Sequence, residues 1–326
     1  MKLTSAYPSV SGALAICLSA TMWGFDGIVL TPRLYNLDVA WVVFILHLLP
    51  FGIMNLFLFR EYRLLRHMTL ADMGLFSLVA LSGGAVGTLA IVKALFLVNF
   101  QHLTVVVLLQ KLQPVFALLL AAVVLKERLN AAFAGWAALA IVNGYFLTFG
   151  LALPDLDTGA ATFYAALYAL MAAVAFGSST VFSKKVLQKY SFRTATFYRY
   201  GFTALFMLLY VSGTGRWPQL ELTTPFNWLI FLIIGLTTGS GAIFLYYYGL
   251  KKVSAMVSTI CELFFPLSAI LFDYLFNDVR LSPVQWISAA VMIFAILRIS
   301  LKGTKPSRRQ AETLQIPPEM KTPGKA

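Results

Sequence analysis

Ten long apolar runs constrain this chain more than any other feature. They lie near residues 12–30, 39–59, 71–95, 104–125 and 133–151, then 163–186, 196–211, 228–250, 256–276 and 284–301. A helix needs about 20 apolar residues to cross the hydrocarbon core of a bilayer. Inside that core every backbone N–H and C=O must be hydrogen-bonded within its own segment, so runs of this length predict helices. The expected fold is therefore an all-α membrane protein with ten transmembrane helices. Composition agrees: 60% of residues are hydrophobic and 12% charged, against about 45–50% and about 25% in soluble domains. Ten spans and short connectors use the 326 residues without room for a separate soluble domain.

The connectors orient the bundle. One set holds Arg60, Arg63 and Arg66, then Lys126 and Arg128, Lys184, Lys185, Lys189 and Arg193, and Lys251 and Lys252. With Lys2 and the basic residues from Arg298 onward, that side carries 19 of the 25 lysines and arginines. The opposite connectors hold only Arg33, Arg216 and Arg280. Cytoplasmic loops retain the positive charge, so both termini are expected in the cytoplasm of a bacterial inner (plasma) membrane. The net charge of +12 then reads as a topology signal, and nucleic acid is not an expected partner. The first run is expected to be an uncleaved helix. Residues 302–326 predict a disordered, solvated cytoplasmic tail. Cys17 and Cys261 lie within apolar runs and suggest no disulfide framework.

The runs repeat. Leu18-Ser19-Ala20-Thr21-Met22-Trp23-Gly24 parallels Met171-Ala172-Ala173-Val174-Ala175-Phe176-Gly177, and Leu81-Ser82-Gly83-Gly84 parallels Leu236-Thr237-Thr238-Gly239. Pro114 and Pro266 mark similar depths of the fourth and ninth runs. Each unit has five spans, and five is odd, so the second enters the membrane from the opposite side. A 5+5 inverted repeat follows, with units at 1–151 and 152–301, an arrangement typical of alternating-access carriers.

The segment Leu112-Gln113-Pro114-Val115-Phe116-Ala117-Leu118-Leu119-Leu120, ending in Leu125-Lys126-Glu127-Arg128-Leu129, resembles the fourth-helix signature of EamA-type transporters in the drug/metabolite transporter superfamily. Ala20-Thr21-Met22-Trp23-Gly24-Phe25 resembles the first-helix pattern of that family. The resemblance spans about residues 10–300 and is closest to YddG-type exporters of aromatic and other amino acids. It implies a secondary or facilitative transporter, an exporter of amino acids and related small metabolites. The second unit departs from the pattern: Phe276-Asn277-Asp278-Val279-Arg280-Leu281 has no counterpart of Glu127, which points Glu127 to a helix-end or loop role.

A charge at mid-bilayer costs about 2.5–3.5 kcal/mol on insertion scales and so faces the bundle interior. Lys111 and Glu262 each lie about one turn before a proline, and a proline leaves a carbonyl free one turn earlier. Lys111, Glu262, Gln110 and Gln113 are candidates to hold a zwitterionic substrate; the alternative is a Lys111–Glu262 ion pair that only joins the two halves. Trp23 and Tyr246 are candidates to line an aromatic-tolerant site, or else are interface aromatics. Asp26 and Glu262 are candidates for ion coupling. Lys93, Asp273 and Arg199, near span ends, read as anchors. There is no metal-binding or nucleotide motif, so no cofactor or metal is expected and an intramembrane enzyme is disfavoured. A channel remains the other open reading. The expected partners are a small-molecule substrate and the lipid bilayer.

Overall fold

A computed structural model of the chain describes residues 7–97, 106, 109–152, 160–277 and 280–302. The expected tail beyond residue 302 and most of the fourth run before residue 109 lie outside the described residues. Among the described residues the protein is entirely helical, and eight helices are long and apolar enough to cross a membrane. They are Val10–Leu34, Val39–His67, Leu70–Ala94, Ala131–Phe149, Ala160–Lys189, Pro225–Lys252, Ala255–Phe276 and Pro283–Leu301.

The two other runs are absent from that set for separate reasons. The fourth is described as a helix only over Gln113–Val124, 12 residues. The seventh forms a 22-residue helix, Phe192–Gly213, about 33 Å at 1.5 Å per residue. Its first half is polar, with Thr194, Thr196 and Arg199, which are buried together with Thr203 against other helices.

The helices are numbered α1 (Tyr7–Phe25), α2 (Val39–Leu58), α3 (Leu70–Val79), α4 (Gly87–Leu97), α5 (Gln113–Val124), α6 (Ala131–Phe149) and α7 (Ala160–Lys189). There follow α8 (Phe192–Gly213), α9 (Pro225–Ile234), α10 (Ser240–Lys252), α11 (Ala255–Cys261), α12 (Phe264–Asn277) and α13 (Pro283–Lys302). Three wide turns interrupt the ladder: Asp26–Leu30 after α1, Ala80–Val86 between α3 and α4, and Gly235–Gly239 between α9 and α10. The last two occupy the segments that match between the two halves of the sequence. Such turns displace side chains from the regular helical register and occur often at functional sites.

Polar contacts gather the connectors at two ends. At one, Tyr198 donates to Glu61 O, Lys189 pairs with Asp72, and Lys251 donates to Tyr190 O. At the other, Arg216 pairs with Asp38, Asn36 and Asn227 bond to each other, and Gln285 donates to Leu147 O. Between them α1 packs on α10 and α12, α2 on α8, α5 and α4 on α7, and α6 on α13.

Small residues set the closest approaches, as is usual where helices meet in lipid. A Cβ at Gly177 of α7 would lie 2.9 Å from Gln113 O and 3.0 Å from Ala117 N, both backbone atoms of α5. Neither can rotate away. Gly177→Val is expected to lower the melting temperature and to reduce the yield of monodisperse protein, an overpacking cost of about 1–3 kcal/mol. Thermal unfolding in detergent checks this.

Candidate functional site

Glu262 sits where the chain pauses between α11 and α12. The residues 262–263 form a turn, as residues 111–112 do before α5, each just ahead of its proline. Pro114 and Pro266 are both buried. A proline cannot donate to the preceding turn, so each helix restarts here and leaves polar backbone at mid-length.

Around the Glu262 carboxylate four helices supply donors. Tyr246 of α10 donates to Oε1 at 2.8 Å, Ser258 of α11 at 3.2 Å, and Thr180 of α7 at 3.3 Å. Gln113 of α5 donates through Nε2 to Oε2 at 3.3 Å. The Tyr246 and Thr180 hydroxyls also lie 3.0 Å apart, so either can donate to the other in place of Oε1. Trp23 of α1 tilts over Tyr246, with ring centroids 5.3 Å apart. Tyr246, Thr180 and Ser258 are buried, whereas Trp23, Gln113 and Glu262 are half-buried. The cluster thus has a sealed back and a more open front. Each carboxylate oxygen offers about two acceptor sites; Oε1 has three hydroxyls within reach, and Oε2 takes one amide. The spare capacity lies on Oε2.

Four of the sequence candidates, Trp23, Gln113, Tyr246 and Glu262, therefore meet in one cluster. Gln110 and Lys111 do not join it. Among the described residues Lys111 makes no hydrogen bond or ion pair, so the Lys111–Glu262 pairing is not present and Glu262 is held by neutral donors instead. Asp26 lies apart, at the wide turn after α1, where it accepts from Thr31 at 3.1 Å. Thr180 and Ser258 are not among the sequence candidates for the site. Ser258 shares the helical stripe of Glu262 one turn away, but a lone threonine in α7 carries no signal by itself.

Arg199 departs from its expected anchoring role. It is only 8% exposed. Its Nη1 donates to the Tyr247 hydroxyl at 3.1 Å and its Nη2 to Gly83 O at 3.0 Å. Ser183 shares a 2.8 Å bond with the same Tyr247 hydroxyl. Glu127, by contrast, takes the helix-end role: its two carboxylate oxygens accept from Ala255 N at 2.8 Å and Met256 N at 3.0 Å, at the start of α11. No group of three or more metal-ligating side chains occurs among the described residues.

The profile of the EamA-like transporter family matches residues 10–150 and 163–301. The chain belongs to the EamA-like transporter family, and is thus a multi-pass membrane transporter. It is 54% identical to the riboflavin transporter ImpX of Fusobacterium nucleatum over 292 residues, covering 89% of this chain and 98% of that one. It is 26% identical over 281 residues to the uncharacterized transporter sll1164 of Synechocystis, covering 82% of this chain and 77% of that protein. A protein crystal structure 17% identical in sequence superposes with a TM-score of 0.67, over 94% of this chain and 98% of that one, which shows the same fold.

Proposed function

We propose that this protein is a secondary or facilitative carrier of riboflavin and closely related flavins in the bacterial inner membrane. It works by alternating access of two inverted five-helix units, 1–151 and 152–301, ten spans in all, with both termini cytoplasmic. The observation that carries the substrate reading is the Glu262 cluster: one carboxylate among neutral hydroxyl and amide groups, with Trp23 alongside and, among the described residues, no ion pair. A zwitterion needs both charges met. A flavin needs an aromatic surface for its ring and hydrogen-bonding groups for its ribityl hydroxyls, and Oε2 has room to accept from one of them. The relative that matches along almost its whole length is named for riboflavin, and the amino-acid reading drawn from resemblance gives way to it.

The architecture is supported by the matching wide turns at 80–86 and 235–239, the paired turns before Pro114 and Pro266, and connectors that gather alternately at two ends. Alternating access around a site at the repeat interface is how inverted repeats move solutes. Trp23, Gln113, Tyr246 and Glu262 are assigned to substrate, and Pro114 and Pro266 to the kinks that open polar backbone beside it.

The test is counterflow of labelled riboflavin in proteoliposomes holding the purified full chain. Saturable exchange that unlabelled lumiflavin competes, and phenylalanine and tryptophan do not, is the expected result. Unsaturable flux would indicate a channel. Exchange of aromatic amino acids without riboflavin would overturn the substrate reading.

A further inference from the structure

Two polar centres lie side by side in this bundle, and neighbouring residues divide between them. On α7, Thr180 serves Glu262 while Ser183 faces Tyr247, with Ser179 beside Gly83; on α10, Tyr246 serves Glu262 while Tyr247 holds Arg199. Successive residues diverge by about 100° around a helix, so Ser179 and Thr180, like Tyr246 and Tyr247, hand one side chain to each centre. The two tyrosine rings that separate the centres have centroids 5.7 Å apart. One centre accepts hydrogen bonds and the other donates them.

The donating centre is incomplete. A buried guanidinium is expected to be ion-paired or fully hydrogen-bonded, yet among the described residues Arg199 has no carboxylate partner. Its Nε is buried without a hydrogen-bond partner, and so is the Ser179 hydroxyl. Both side chains converge on Gly83, where an added Cβ would meet Ser179 Oγ and come within 3.0 Å of Arg199 Nη2. Gly83 lies in the wide turn between α3 and α4. A buried N–H without an acceptor and a buried hydroxyl without a partner, on two side chains that meet at one irregular turn, mark a place that a ligand bearing acceptors would complete.

We propose that Arg199 and Ser179 form a second anchor of the substrate site and bind the acceptor-bearing edge of the flavin ring, while Glu262 reads the ribityl chain. This rests on the flavin reading above. The pyrimidine-like edge of the ring carries two carbonyl oxygens and ring nitrogens, which suit the planar donor fork of an arginine. The ribityl hydroxyls suit a carboxylate. A substrate with acceptors at one end and donors at the other thus bridges the two centres across the tyrosine pair.

Quenching of flavin fluorescence by the detergent-solubilised full chain tests this with riboflavin and lumiflavin, which keeps the ring and replaces the ribityl chain with a methyl group. Arg199→Lys retains the charge and removes the fork; it is expected to weaken both ligands by the same factor, about tenfold, the usual effect of losing one charge-assisted hydrogen bond. Ser179→Ala breaks none of the hydrogen bonds that Arg199 makes, and is expected to weaken both ligands by a smaller common factor. Glu262→Gln is expected to weaken riboflavin more than lumiflavin. If Arg199→Lys binds both flavins as the wild type does, or loses riboflavin alone, the second anchor is wrong. Should Arg199→Lys aggregate, wild-type affinity of Ser179→Ala for both flavins overturns it. A wild-type protein that binds neither flavin sinks the flavin reading itself.

Discussion

Replacing Glu262 with glutamine is expected to lower riboflavin counterflow at least about 100-fold while leaving a folded, inserted protein. The carboxylate is the common acceptor of Tyr246, Ser258, Thr180 and Gln113. Glutamine keeps one carbonyl oxygen, which can replace Oε1, but it puts an NH2 group where Oε2 accepted from the Gln113 amide. Two donors then face each other, and the position that would accept a substrate hydroxyl becomes a donor as well. A hydrogen bond to a charged group contributes about 1.5–3 kcal/mol, and about 2.7 kcal/mol is a hundredfold in affinity. Folding should survive because the three hydroxyls on the sealed side still find an oxygen. Tyr246→Phe removes one donor and leaves the acceptor, so its effect should be smaller, about three- to tenfold. The check is counterflow at matched protein density, with insertion verified by size-exclusion and protease protection. Wild-type affinity in a correctly inserted Glu262→Gln protein would remove Glu262 from the substrate site.

Most helix positions and the interior placement of Glu262 were legible because lipid enforces them. An apolar run must be helical, and a carboxylate in its middle must find partners inside the protein. Gln113 was legible for a related reason, since a polar group beside a proline break faces the interior, and Tyr246 as an amphipathic aromatic within an apolar run. What the sequence hid was the sidedness of neighbours. Lys111 lies two residues before Gln113, yet only Gln113 reaches Glu262, because the chain turns at 111–112 before α5 starts. Arg199 looked like an interfacial anchor because it follows the basic run at 184–193. It is buried because α8 begins at Phe192 and its first turns pack against α2 and α3. Apolarity finds helices that face lipid; it places α8 only over 196–211, short of the observed Phe192–Gly213, because its polar first turns face other helices.

The second large effect is expected at the basic end, where Glu127→Ala should destabilise the protein by about 3 kcal/mol. The residue closes a joint between the two halves of the sequence. After α5 the chain turns at Lys126, whose φ of 54° places it in the left-handed region, and Glu127 N bonds back to Ala121 O. That reversal points the Glu127 carboxylate at the first free N–H groups of α11, those of Ala255 and Met256, while the Ser254 hydroxyl accepts from Val257 N. Helix starts expose unsatisfied donors with partial positive charge, and a carboxylate there meets both needs. From the other side Lys184 donates to Leu250 O at 2.7 Å and to Val253 O at 2.5 Å, fixing the end of α10. The connector between α10 and α11 is thus held by an acid from the first half and a base from the second. Alanine leaves two buried N–H groups without acceptors and takes away the charge that faces Lys184. Glutamine keeps one acceptor, so its cost should be about half as large. Burial pushes the Glu127 carboxyl above its ordinary value of 4.5, opposed by the Met256 and Ala255 N–H groups and by Lys184. A carboxyl with a raised folded-state value binds its proton more tightly folded than unfolded, so its contribution falls as pH rises through that window. Wild type should therefore lose stability relative to Glu127→Gln as pH rises above 4.5. Thermal melts of wild type, Glu127→Ala and Glu127→Gln across that range measure both effects. Equal melting temperatures for wild type and Glu127→Ala would mean that this joint does not hold α11 to the first half.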